Sequence, residues 1–131
     1  MKGRELLETI SVDYIECIKK NFHIYCEIQK EISHIPNNES GFLHNVGNSN
    51  YDIKLLYKQN VLYNKAKSAK NILELGVSDC GSGLILCMAN TESKIKGIDY
   101  CSTEIPNRSV DILNKHFHNR YELLKGEACY V

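Results

Sequence analysis

The sequence has no excess of charge of either sign and no long apolar run. Its 16 Lys and Arg residues balance 16 Asp and Glu residues, and no block of basic residues stands out. Such a block is typical of proteins that bind nucleic acid or anionic membranes, so we expect neither partner. The longest purely apolar run, residues 84–89, is far shorter than the roughly 20 residues that cross a bilayer. We therefore expect no membrane-spanning segment.

The sequence also shows little sign of targeting or of paired cysteines. The first ten residues, MKGRELLETI, contain no apolar core of a signal peptide, and a glycine stands at position 3 rather than at position 2, where myristoylation needs it. Six cysteines are present without a C-x-x-C motif or a zinc-ligand spacing. Without a signal peptide, reduced thiols are the expected state. These features favour a cytoplasmic protein without a bound metal.

Hydrophobic periodicity divides the chain into an N-terminal helical segment and an α/β region. Apolar residues recur at steps of three and four over residues 4–35, which predicts one long helix. A second helix is expected over about 52–69. Strand candidates then alternate with helix candidates: strands at 71–75, 96–100 and 121–125, and helices at 82–91 and 106–117. This alternation predicts parallel strands. We expect residues 1–36 to form the helical segment and residues 37–131 a Rossmann-like region.

Residues 71–86, NILELGVSDCGSGLIL, join the first strand to the next helix through a glycine-rich loop. Such a turn lets a backbone approach a ligand at the helix N-terminus. The spacing does not fit a phosphate-binding P-loop, because Ser82 replaces the lysine that the motif requires. It does not fit the dinucleotide fingerprint, because Ser78 stands where the second glycine belongs. Asp79 would also repel a pyrophosphate, and we expect its side chain to be solvated at the tip of the loop.

The pattern that remains is E-x-G-x-x-x-x-G-S, formed by Glu74, Gly76, Gly81 and Ser82. Here the sequence resembles class I S-adenosylmethionine (SAM)-dependent methyltransferases, in particular the branch that is similar to small-molecule O-methyltransferases. The segments GIDY and YELLKGEA, which place acids at the next two strand ends, follow in the order that this family has. The resemblance covers roughly residues 40–131.

The resemblance implies a SAM site built from the glycine loop and the two acidic strand ends. Its residues are Glu74, Gly76, Val77, Ser78, Gly81, Ser82, Asp99, Tyr100, Glu127 and Ala128. The Glu74 carboxylate suits the sulfonium and ammonium of SAM, Asp99 is expected to accept the ribose hydroxyls, and Glu127 is expected to lie near adenine. Asp99 as the start of a turn and Glu127 as an ordinary acid after a strand remain alternatives. Cys80 stands where the family often has glycine, and a positive φ there costs about 1–2 kcal/mol.

The sheet of this family is larger than the strands found here can form. We therefore expect an α/β fold, a Rossmann-like half-sheet of about three parallel strands with flanking helices, preceded by a long N-terminal helix. We expect the chain to be either the N-terminal portion of a longer protein or a truncated gene product. The methyl acceptor is expected to be a small molecule or a sugar. The catalytic base or metal ligands are expected beyond the chain, so no catalytic residue is assigned.

Two other functions stay open on the sequence. One is a nucleotide- or NAD-binding Rossmann fragment of an oxidoreductase, which the βαβ pattern and Asp99 would suit. The other is a non-catalytic module that forms a homodimer through the long helix, because the apolar spacing of that helix also tolerates a short coiled coil.

Overall fold

The structure is a computed structural model that describes residues 10–35, 53–77, 79–99 and 104–125. The elements in these ranges are α1 (Val12–Ile32), α2 (Ile53–Ala66), β1 (Asn71–Leu75), α3 (Gly81–Ala89), β2 (Lys94–Asp99), α4 (Glu104–His116) and β3 (Tyr121–Lys125). The described elements follow one another in the order that the periodicity predicts. The long helix begins at Val12 rather than at residue 4, and residues 1–9 lie outside the described ones.

The three strands form one parallel sheet in the order β1-β2-β3. In its register, Glu74 of β1 lies opposite Gly97 of β2, and Gly97 lies opposite Leu123 of β3. Parallel pairing brings the carboxyl ends of all three strands to one edge of the sheet. The predicted α/β fold with a Rossmann-like sheet of three parallel strands is therefore confirmed.

The two faces of the sheet have different surroundings. Ile95 and Tyr121 point to one face and join the hydrophobic core that the helices build. Leu73 and Leu75 belong to the other face, where 61% and 59% of their surface is exposed. Because successive side chains of a strand alternate between faces, the described helices cover a single face of the sheet.

The long helix α1 packs on other helices of its own chain. Ser11 caps it by accepting a hydrogen bond from the Tyr14 backbone N–H at 3.2 Å. The buried residues of α1 are Tyr14, Ile24, Ile28 and Ile32, and they belong to the same core as residues of α3 and α4. Burying each of these isoleucines contributes roughly 1.5–3 kcal/mol relative to exposure. The apolar face of α1 thus packs against other helices of the same chain. Dimerisation through α1 and a domain boundary at residue 36 stay predictions.

Polar contacts fix α1 to α2. The Tyr14 hydroxyl donates to Gln59 Oε1 at 2.9 Å, and both residues are fully buried. The Ser11 backbone N–H donates to Asn60 Oδ1 at 3.1 Å. Buried polar groups are stable only when they are hydrogen-bonded, so these pairs define the register in which the two helices meet.

Arg120, the residue before β3, holds the C-terminal end of α3. Its guanidinium donates to the carbonyl oxygen of Cys87 at 2.6 Å and to that of Ser93 at 2.8 Å. A positive charge at this end of a helix also complements the helix dipole. The end of α3 that lies away from the glycine loop is therefore fixed.

Within the described ranges, none of the helices combines the length and the apolar character that crossing a bilayer requires. In the same ranges, no three His, Cys, Asp or Glu side chains come together in an arrangement that could hold a metal ion. The described cysteines, Cys17, Cys26, Cys80 and Cys87, are free thiols.

Candidate functional site

The chain turns from β1 into α3 through a loop in which two of the described residues are left-handed. Gly76 has a φ of +85°, and no neighbouring atom lies within 4 Å of where its Cβ would stand. Glycine thus suits this position because of the backbone conformation rather than because of space. Cys80 has a φ of 63° and a ψ of 28°, and it is fully buried. A non-glycine residue therefore occupies a left-handed conformation here, at a cost of about 1–2 kcal/mol.

Hydrogen bonds join this loop to the end of β2. The Gly76 N–H donates to the Ile98 carbonyl oxygen at 2.8 Å. The Val77 N–H donates to Asp99 Oδ2 at 2.9 Å, while the Val77 side chain is buried. Asp99 therefore lies directly beside the loop, at the carboxyl edge of the sheet.

Glu74 lies on the face of the sheet that the helices cover. Its Oε1 accepts a hydrogen bond from the Tyr121 hydroxyl. Tyr121 belongs to β3, so its side chain reaches Glu74 by passing over the middle strand at Gly97. A Cβ at Gly97 would lie 2.2 Å from the Tyr121 hydroxyl oxygen. The crossing therefore depends on the missing side chain of Gly97.

The carboxyl group of Glu74 titrates far from its usual range. Burial raises its pKa, the hydrogen bond from Tyr121 lowers it and the nearby Asp99 carboxylate raises it, and together these effects bring the pKa to about 7. Burial also raises the pKa of Tyr121 well above its usual value, so the phenol keeps its proton and acts as the donor. Groups with strongly shifted pKa values cluster at functional sites. Glu74 can therefore change its charge near neutral pH.

Asp79 is buried rather than solvated, which corrects the expectation from the sequence. It is 2% exposed, and its Oδ2 accepts a hydrogen bond from Gln29 Nε2 of α1 at 3.0 Å. Its Oδ1 accepts from the Gly81 N–H at 3.2 Å. Because Gln29 comes from a helix 50 residues earlier in the chain, the local sequence gave no sign of this partner. Asp79 places a carboxylate at the N-terminus of α3, where the helix dipole favours negative charge.

The start of α3 supplies the remaining described residues of the site. Gly81 is buried and Ser82 is half-buried in the first turn of the helix. Burial raises the pKa of the Cys80 thiol well above its usual range and raises that of Cys87 to about 12. Protonated thiols are poor nucleophiles, so we assign no covalent chemistry to either cysteine.

The structure brings together at the carboxyl edge of the sheet six of the residues that the sequence predicts for the site. These six are Glu74, Gly76, Val77, Gly81, Ser82 and Asp99. The other four, Ser78, Tyr100, Glu127 and Ala128, lie outside the described residues.

Three further residues of the arrangement were missed by sequence reasoning: Gln29, Gly97 and Tyr121. A glycine inside a strand often marks the close approach of another group. Gly97, within the segment KGIDY, therefore indicated that another group approaches the strand closely at this position. Tyr121 gave no comparable signal, because its partner depends on the register of three strands.

Comparison with models of known protein families finds no match, and comparison with curated protein sequences finds none either. The basis for a functional assignment is therefore the geometry of the loop together with its sequence pattern.

Proposed function

We propose that this chain binds SAM at the glycine loop and forms the cofactor-binding part of a class I SAM-dependent methyltransferase. The observation that supports this most directly is the junction of β1, β2 and α3, where Glu74 and Asp99 flank the loop and Asp79 lies within it. This junction lies at the carboxyl edge of a parallel sheet, which is where open α/β sheets bind ligands.

The charges at the loop favour a cationic cofactor over one that contains phosphate. The N-terminus of α3 is the kind of position where phosphates bind, but here the Gly81 N–H donates to the Asp79 carboxylate. A phosphate group would meet that carboxylate, and the loop sequence offers no lysine to neutralise it. SAM has no phosphate and carries a sulfonium and an ammonium, which carboxylates attract. The same features disfavour NAD and nucleoside triphosphates.

In the proposed complex, the backbone and the acids of the loop have separate roles. Gly76 lets the cofactor lie against the backbone, and Asp99 accepts hydrogen bonds from the ribose hydroxyls. Glu74, once ionised, faces the positive charge of the cofactor. Ser82 caps α3 or reaches the carboxylate of the cofactor.

The proposed reaction moves a methyl group from SAM to an oxygen or nitrogen of a small molecule or a sugar. A lone pair of the acceptor attacks the methyl carbon as the carbon–sulfur bond breaks. Neutral S-adenosylhomocysteine leaves, and the acceptor gives up its proton. Holding the two reactants in line supplies much of the rate enhancement in such a step. We assign no described residue as the base.

Thermal unfolding and calorimetric titration with SAM, S-adenosylhomocysteine, NAD and ATP test this proposal. A ligand at 100 times its Kd stabilises a protein by about 2.7 kcal/mol, which raises the Tm of a chain of this size by several degrees. We expect SAM and S-adenosylhomocysteine to raise the Tm and NAD and ATP to leave it unchanged. Stabilisation by NAD or ATP without any by SAM would contradict the proposal.

Asp99→Asn and Asp111→Asn form a matched pair for the same titration. Asp99→Asn keeps an oxygen for the Val77 N–H but loses the charge that strengthens bonds to ribose, so SAM affinity should fall about tenfold. Asp111 is exposed on α4, and its variant should bind as the wild type does. Equal affinities in the two variants would argue against ribose binding at Asp99.

A further inference from the structure

The ring of Tyr121 is enclosed between the sheet and a helix. On the sheet side, a Cβ at Gly97 would lie 2.8 Å from ring atom Cε1. On the helix side, a Cβ at Gly83 of α3 would lie 3.3 Å from ring atom Cε2. Tyr121 itself is 3% exposed. The ring therefore occupies a slot between two glycines, and larger residues at these positions would close it.

The backbone of Tyr121 is fixed as firmly as its ring. Asn114 of α4 donates through Nδ2 to the Tyr121 carbonyl oxygen at 2.8 Å and accepts from the Tyr121 N–H through Oδ1 at 2.9 Å. These two hydrogen bonds fix the first residue of β3 to α4. The direction of the phenol is thus set by the protein before any ligand arrives, as preorganised sites require.

Titratable groups from each neighbouring element face the Glu74 carboxyl. Tyr121 approaches from β3, Asp99 from β2, Cys80 from the loop and Cys87 from α3. In the part of the chain that the structure describes, no cation acts on Glu74, and Tyr121 is its hydrogen-bond donor. The phenol is therefore the one described group that favours the ionised form of Glu74.

We propose that Tyr121 is a positioning residue, which reaches over Gly97 to hold the Glu74 carboxyl and thereby sets the pH above which the site accepts a cationic ligand. This inference rests on the proposed binding of SAM for its ligand, but the control of Glu74 by Tyr121 is a property of the free chain.

The ionisation of Glu74 and the binding of a cationic ligand are linked through the release of a proton. Burial and Asp99 raise the pKa of Glu74, whereas the Tyr121 hydrogen bond lowers it. When a cationic ligand binds beside Glu74, the ionised carboxylate is favoured and its proton passes to the solvent. Without the phenol, the proton is held more tightly, and the ligand can compete with it only at higher pH.

A ¹³C NMR titration of the glutamate side-chain carboxyl carbons in the free chain tests the inference directly. The Glu74 signal is identified by its absence in Glu74→Gln. We expect its midpoint to rise by about one pH unit in Tyr121→Phe, a tenfold change in the ionisation constant. Tyr14→Phe is the matched control, because Tyr14 is equally buried and its hydroxyl binds Gln59 instead. In that variant the midpoint of Glu74 should not move.

A second substitution keeps the test informative if Tyr121→Phe does not fold. Replacing Tyr121 site-specifically with 3-fluorotyrosine retains the ring and makes the phenol a stronger donor. The Glu74 midpoint should then shift in the opposite direction, to lower pH. A midpoint that is unchanged by the fluorinated residue, or by Tyr121→Phe in a folded chain, would overturn the inference.

SAM affinity measured against pH gives the functional readout. At pH 7, we expect Tyr121→Phe to bind SAM about fivefold more weakly than the wild type, with the difference vanishing near pH 9. The titration of SAM itself is common to both proteins, so the difference between their profiles reports on Glu74. Equal profiles would contradict the role of Tyr121. If the wild type does not bind SAM, the proposed function fails, while the carboxyl titration still decides whether Tyr121 controls Glu74.

Discussion

The two ends of the sheet hold their charges in different ways. At the carboxyl end, Glu74 is half-buried and Asp79 is buried, and each accepts a hydrogen bond from a distant element of the chain. At the amino end, Lys70 and Lys94 are exposed around an open groove of about 620 Å³. Removing a carboxyl group from water costs free energy, whereas an exposed ammonium remains hydrated. The acids at the carboxyl end are therefore costly for the stability of the fold, which favours a functional role for them.

The largest expected effect comes from Gly97→Ala, which disrupts the carboxyl end through steric overlap. The added methyl group would lie 2.2 Å from the Tyr121 hydroxyl oxygen and 2.7 Å from Val77 Cγ2. We expect the free energy of unfolding, measured by urea denaturation, to fall by about 3 kcal/mol. Adding Tyr121→Phe deletes the closest atom and should recover part of the loss. A Gly97→Ala chain as stable as the wild type would contradict the crossing of Tyr121 over β2.

The pH dependence of stability distinguishes Glu74 from exposed acids. Burial raises its folded-state pKa to about 7 from an ordinary value of 4.5. Its neutral form therefore stabilises the chain fully below pH 4.5, and this contribution is lost as the pH rises through 7. The loss amounts to at most about 3 kcal/mol.

Denaturation at a series of pH values measures this slope. Glu74→Gln should remove it, since the amide does not titrate. Glu122→Gln, at an exposed position on β3, should retain it and serves as the control. Equal slopes in the two variants would show that Glu74 is not the group responsible.

A smaller effect is expected from Gln29→Ala, which removes the donor that α1 supplies to Asp79 Oδ2. Losing a hydrogen bond to a buried charged group costs about 2 kcal/mol, measurable as a lower denaturation midpoint. Lys30→Ala, at the next and exposed position of α1, controls for the loss of side-chain length. If the denaturation midpoint falls equally in both variants, the contact of α1 with the glycine loop makes no measurable contribution to stability.

The smallest effect is expected at the amino end of the sheet. Lys94→Gln removes an exposed charge, and such changes alter the free energy of unfolding by less than about 0.5 kcal/mol. The same denaturation experiment should therefore barely distinguish this variant from the wild type. A decrease of 2 kcal/mol or more in the free energy of unfolding would mean that the charge at the amino end, too, is held by specific interactions.

Local sequence patterns were sufficient for the elements and for the position of the loop. β1 and β3 begin and end at the predicted residues, and each is a five-residue segment that lies between a basic residue and a glycine in the sequence. The positive φ at Cys80 was also considered from the motif alone. These features are encoded by neighbours in the chain, which a sequence shows directly.

Contacts between distant residues were not predictable in the same way. The bond from Tyr121 to Glu74 requires the register of three strands, and that from Gln29 to Asp79 requires the docking of α1. Asp79 was expected in solvent because loops lie on the surface as a rule. No feature of the described residues identifies an acceptor, so our proposal names a class of cofactor rather than a substrate.

The contact between Gln29 and Asp79 also governs when the loop acquires its final shape. The two residues are 50 positions apart, so the loop can be completed only after α1 has docked on the rest of the chain. The Gly81 N–H, bonded to the same carboxylate, should then exchange with solvent deuterium at the rate of global unfolding rather than of local opening. We therefore expect the Gly81 N–H to stay protected from exchange for as long as α1 remains docked on Asp79.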